Sequence, residues 1–118
     1  NNVVPSFLTS GTYQPMDSVA TISNAMDVGN PSNFVRLSRL YNDDLATIRR
    51  YVAGYYFTDE QTRDGMRDLF ARHNYVACPH TAVGLLGLTS YQQQHVDTCG
   101  VALATAHPAK FKPLVEEV

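Results

Sequence analysis

One run in this chain, Gly100-Val101-Ala102-Leu103-Ala104-Thr105, has the uninterrupted apolar character of a strand buried on both faces. It ends at a threonine, passes His107 and meets Pro108, a residue suited to the first position of a helix. A strand that feeds a helix is the unit of an α/β fold. Only two shorter pieces, Tyr55-Tyr56-Phe57 and Tyr75 to Pro79, offer further extended chain. These are too few strands for a complete sheet, so the expected fold class is α/β, and within it a partial sheet-and-helix piece.

The rest of the chain reads as helices. Pro5, Gly11, Pro15 and Gly29 punctuate residues 1–30, which predicts an irregular segment with at most one short helical turn. From Asn30, an N-cap candidate followed by Pro31, apolar residues recur every three or four positions: Phe34, Leu37, Tyr41, Leu45, Ile48 and Val52. That spacing predicts one helix ending at Gly54. Thr58-Asp59-Glu60-Gln61 is a capping box and starts a second helix, with Met66, Leu69, Phe70 and His73 on its stripe and Asn74 at its end. A third helix is expected from His80 to Tyr91, where Gly84 and Gly87 form a flat face for close approach of a neighbour. Pro113 to Val118 begins a last one. The organisation is a single piece over residues 1–118.

Composition excludes several classes. Apolar residues make up 44% of the 118 residues, charged residues 17%, and the formal net charge is −2, as in an ordinary folded domain. The arginines form no basic block, so nucleic acid is not an expected partner. The longest apolar stretch, Val101 to Ala104, falls far short of the ~20 residues of a membrane span. "NNVVPSFL" has no signal-peptide pattern, and "NNVVPSFLTSGTYQP" reads as a chain entered midway. Cys78 and Cys99 match no metal or redox spacing, and no histidine or carboxylate spacing suggests a metal site. Reduced thiols in a cytoplasmic protein are expected.

Three stretches carry candidate chemistry. Thr105 lies at the carboxyl end of the expected strand, where α/β sheets bind ligands, although a hydroxyl there also serves as a helix cap. His107 follows it, either in a site or structural. Lys110 and Lys112, the only lysines, are Schiff-base candidates in principle, and solvated residues of a surface helix by default. Ser23 to Phe34, "SNAMDVGNPSNF", leads into a helix N-terminus, so it reads equally as an anion site or a capped polar loop. Cys78 and His80 in "CPHT" place a thiol near an imidazole, but near neighbours in sequence rarely reach nucleophile–base geometry.

Together, "SNAMDVGNPSNF", "CPHTAVG" and "LATAHPAKF", with "VVPSFL" near the start, resemble the carboxy-terminal part of threonine synthase in order and rough spacing. The resemblance covers nearly the whole chain. It implies a pyridoxal-phosphate enzyme of fold type II, the tryptophan synthase β-like family, and for this chain a partial three-layer piece of that fold. The family's Schiff-base lysine and its glycine- and asparagine-rich phosphate loop lie upstream of the matching region, which removes Lys110 as a candidate and leaves no catalytic residue in this chain.

The resemblance further implies that Thr105 faces the pyridine nitrogen of pyridoxal 5'-phosphate, as a neutral donor that tunes its electronics. The implied reaction turns O-phospho-L-homoserine and water into L-threonine and phosphate. Asn24, Asp27, Ser32 and Asn33 are substrate-cleft candidates, with His80 and His107 behind them. The chain alone is expected to be inactive, to need the amino-terminal part of the same enzyme as its partner, and to self-associate through uncovered apolar surface. The other reading is a non-catalytic remnant that acts as an interaction module.

Overall fold

The computed structural model describes every residue except Ala25 and Met26. Among the described residues there are helices and no strand. The α-helices are α1 (Val3–Ser10), α2 (Phe34–Leu40), α3 (Leu45–Tyr51), α4 (Asp59–His73), α5 (Pro79–Gln94) and α6 (Lys112–Glu117), with a 3₁₀ turn at Pro108–Phe111 before the last. The α/β expectation, and with it the partial three-layer sheet, is overturned. Gly100 to Thr105 is not a strand, and none of its backbone groups pairs with another backbone segment among the described residues. Val101 and Leu103 are 83% and 80% exposed. Strand formation needs a ladder partner as well as an apolar run. Tyr55 to Phe57 and Tyr75 to Cys78 are likewise irregular links.

The chain forms two compact units. The first comprises Asn1–Ala20 with Asn24–Tyr56. Here α1 makes two turns where punctuation predicted at most one. Pro5 sits in its first turn, where a missing N–H costs least, and Gly11, at φ 80°, closes it by donating to Phe7 O at 2.8 Å. Arg49 of α3 reaches the same end: its Nε donates to Leu8 O at 2.7 Å and its Nη2 to Thr9 O at 2.8 Å. The guanidinium therefore supplies donors to carbonyls that have no partner inside the helix.

The single helix expected from Pro31 to Val52 is divided. Asn42 and Asp43 take left-handed φ values of 51° and 57°, which stop α2 and turn the chain. Asp44 restarts it, its carboxylate accepting from Ala46 N at 3.1 Å. The apolar period survives the break, and Ile48 is 1% exposed. Asn30 is not the cap; the helix begins after Asn33, which makes no side-chain cap bond.

The second unit comprises Thr21–Ser23 with Phe57–Val118. Its frame is the α4–α5 hairpin. The capping box is present as expected: Gln61 N donates to Thr58 Oγ1 at 3.2 Å, and Thr58 N donates to Gln61 Oε1 at 2.9 Å. Asn74, at φ 50°, ends α4 and donates to Phe70 O. Close approach of the two helices occurs at Gly65, where an added Cβ would lie 3.0 Å from Leu86 Cδ1. Of the two glycines expected to form a flat face, Gly84 is open, with nothing within 4 Å of an added Cβ. Met66, Ala77, Cys78, Ala82 and Phe111 form the buried apolar set of this unit.

Candidate functional site

In the second unit the "TAHPAKF" stretch is built around a turn rather than a strand end. Gly100 sets the approach, because an added Cβ there would fall 2.3 Å from Leu88 Cδ1 of α5. The chain then runs without regular structure to Thr105. His107 caps the 3₁₀ turn, its Nδ1 accepting from Ala109 N at 3.2 Å. Pro108 follows at the first position, where its fixed φ suits the turn. Phe111 ends the turn and is 7% exposed. Burial of that ring, roughly 2 kcal/mol by area arithmetic, holds the exposed residues before it in place.

Phe111 also joins two motifs that are remote in sequence. Its ring centroid lies 5.2 Å from that of His80, tilted by 53°. His80 stands in the first turn of α5, and its Nδ1 is buried with no hydrogen-bond partner among the described residues. Phe111 carried no signal of its own in the sequence beyond being aromatic. The neighbouring Cys78 is 1% exposed, with Sγ 3.2 Å from Thr81 Oγ1. A buried thiol paired with a hydroxyl is a structural residue, not a presented nucleophile.

Thr105 is exposed, and its hydroxyl makes no hydrogen bond among the described residues. The two lysines differ. Lys112 pairs with Glu116 in α6, whereas the Lys110 side chain makes no ion pair or hydrogen bond among the described residues. Arg63 of α4 reaches Glu117 at 3.5 Å.

Asn24, Asp27, Ser32 and Asn33 belong to the first unit. The expected anion-binding stretch that holds them runs through Ala25 and Met26, which lie outside the described residues. Asn24, Ser32 and Asn33 are exposed, while Asp27 is half-buried and engaged in an interaction. Around them the loop is closed by its own bonds. Met16 N donates to Gly29 O at 2.9 Å, Gly29 N to Ser18 Oγ at 3.1 Å, and Tyr13 OH to Asn30 Oδ1 at 3.0 Å. Phe34 N, one of the free amides expected at the helix start, donates to Pro31 O at 3.0 Å.

One side chain in this unit has a displaced titration. Asp44 is held below its ordinary carboxylate value, chiefly by the Thr47 hydroxyl that donates to it, with the Ala46 and Thr47 amides adding to the effect.

Residues 81–118, which hold Thr105, His107 and Lys110, match the family model "Threonine synthase, C-terminal". The threonine synthase of Serratia marcescens is 42% identical over 118 residues, which is 100% of this chain and 27% of that protein. The crystal structure of threonine synthase from Escherichia coli superposes with a TM-score of 0.84 at 38% identity, covering 98% of this chain and 26% of that one. PLP-bound threonine synthase from Brucella melitensis shares the fold at a TM-score of 0.69 and 24% identity, over 98% of this chain and 30% of its own. The chain is a segment of the threonine synthase family, spanning about 27% of the length of curated relatives such as that of Serratia marcescens.

Proposed function

We propose that this chain is the carboxy-terminal part of a pyridoxal-phosphate enzyme that converts O-phospho-L-homoserine and water to L-threonine and phosphate. In that enzyme the cofactor supplies an electron sink for proton removal next to the amino-bearing carbon. Thr105 would hold the pyridine nitrogen through a hydrogen bond from its hydroxyl. The observation that carries this reading is the uncommitted, exposed hydroxyl of Thr105 within a chain that matches threonine synthases from end to end. A neutral donor leaves the ring nitrogen unprotonated, where a carboxylate would protonate it.

The lysines fit the same division of labour. Lys112 is paired with a carboxylate, which stabilises its ammonium, and a nucleophilic amine must be neutral. The resemblance to threonine synthase implies that proton transfer belongs to a lysine supplied by the rest of the enzyme. Asn24, Asp27, Ser32 and Asn33 are candidates for positioning the substrate, and His80 and His107 are further candidates, each taken by itself. Both cysteines are free thiols, in keeping with a cytoplasmic location. The partner of this segment is the remaining part of the same enzyme. Alone, it is inactive and self-associates through surface such as Val101 and Leu103.

Replacing Thr105 in the full enzyme tests the reading. Thr105→Val should shift the absorption of the bound cofactor and lower kcat, and Thr105→Asp should alter both in a different sense by protonating the ring. The 118-residue chain treated with pyridoxal phosphate and borohydride should retain no stoichiometric label on Lys110 or Lys112. Unchanged absorption in both variants, or such a label, would refute the proposal.

A further inference from the structure

We infer that α5 aims Thr105, with Leu88 and His80 as its positioning residues, an inference that rests on the reading of Thr105 as a cofactor contact. After α5 the chain turns back along that helix and is held there at successive points. Gln92 Nε2 donates to Thr98 O at 2.9 Å. Gly100 lies so close to Leu88 that an added Cβ would fall 2.3, 2.9 and 3.0 Å from its Cδ1, Cδ2 and Cγ. The Phe111 ring, 7% exposed, rests against the His80 ring with 5.2 Å between centroids. Thr98, Gly100 and Phe111 thus meet Gln92, Leu88 and His80 in reversed order, so the returning segment runs antiparallel to α5.

Between the last two attachments the lengths do not match. Leu88 and His80 lie on one helix, about 12 Å apart along its axis at 1.5 Å per residue. The chain from Gly100 to Phe111 has an extended reach of about 36 Å, and the 3₁₀ turn at Pro108–Phe111 takes up only part of the surplus. The rest has to leave the helix surface, as the 83% and 80% exposure of Val101 and Leu103 shows. Thr105 sits midway between the two feet of this loop, and a loop with fixed feet is placed by them. No hydrogen bond among the described residues orients its hydroxyl locally. His80 Nδ1 is buried with no hydrogen-bond partner among the described residues, so what the His80 side chain supplies here is a surface for Phe111. His80 then acts on the site through Phe111 and needs no contact of its own with the substrate.

Absorption of the bound cofactor in the full enzyme reports the Thr105 contact. Gly100→Ala drives the chain off Leu88, and His80→Ala removes the surface under Phe111. Each should move that absorption in the direction of Thr105→Val. Each should lower kcat about two- to tenfold, the worth of one neutral hydrogen bond, and leave KM for O-phospho-L-homoserine unchanged. Because both act through Thr105, neither should add to the shift or the loss in a Thr105→Val background. Gly100→Ala combined with Leu88→Ala gives the new methyl room and should recover much of the parent absorption.

Parent-like absorption in either single variant, or an undiminished further shift in the Thr105→Val background, would overturn the inference. So would a Gly100→Ala, Leu88→Ala enzyme no closer to the parent than Gly100→Ala alone, a comparison that stands even where His80→Ala fails to fold. Thr105→Val with unaltered cofactor absorption would instead bring down the reading underneath, and this inference with it.

Discussion

Two glycine substitutions in the α4–α5 hairpin should have opposite effects, although both put alanine into a helix. Alanine is favoured over glycine in a helix interior by about 1 kcal/mol, because the unfolded glycine chain has more conformations to lose. At Gly84 nothing lies within 4 Å of the added Cβ, so Gly84→Ala should stabilise the unit by close to that full amount. At Gly65 the same methyl would lie 3.0, 3.2 and 3.4 Å from Leu86 Cδ1, Cγ and Cδ2. Relieving that contact moves the half-buried Leu86 against its neighbours, at a cost of about 1–3 kcal/mol by overpacking. The net effect of Gly65→Ala is then between about zero and 2 kcal/mol of destabilisation. Urea unfolding followed by circular dichroism resolves the difference, with midpoints compared at a common slope. Equal stabilisation by both variants would refute the close packing of α4 on α5.

Other consequences are simpler to state. Thr58→Ala removes one half of the capping box and should cost about 1 kcal/mol, read in the same urea experiment. Arg49→Lys cannot reproduce the two-pronged contact with Leu8 O and Thr9 O, so amide exchange at the end of α1 should accelerate. Asp44 has a depressed carboxyl in the folded chain. Its support for α3 is therefore present above the ordinary value of 3.8 and is lost as pH falls through the lower folded value; Thr47→Val should flatten that acid dependence in an NMR titration. Cys99 is exposed and Cys78 buried, so a thiol reagent should label Cys99 fast and Cys78 only as the unit unfolds.

Much of the local structure was legible in the sequence because it depends on neighbours only. Thr58 and Gln61 satisfy each other within one turn, and Asn74 takes the left-handed conformation that ends α4. The break at Asn42 and Asp43 was legible in principle, since both residues tolerate positive φ, but the apolar period runs through it undisturbed. Periodicity reports which face is buried and is blind to a turn that preserves the face. The site residues divide in the same way. Thr105 and His107 stand out by motif, whereas the contact of His80 with Phe111 joins residues whose separation in the chain carries no signal.

What the sequence determined by itself is the helical stripes, the capping box at Thr58 and the family, because side-chain spacing and motif identity are properties of the chain alone. The tertiary structure decided where the helices touch, at Gly65 and not Gly84, and what became of Gly100 to Thr105. That run has the composition of a buried strand, yet a strand exists only when a second backbone accepts its hydrogen bonds. No such partner stands among the described residues. The run therefore stays irregular and largely exposed, and carries Thr105, whose hydroxyl makes no hydrogen bond among the described residues.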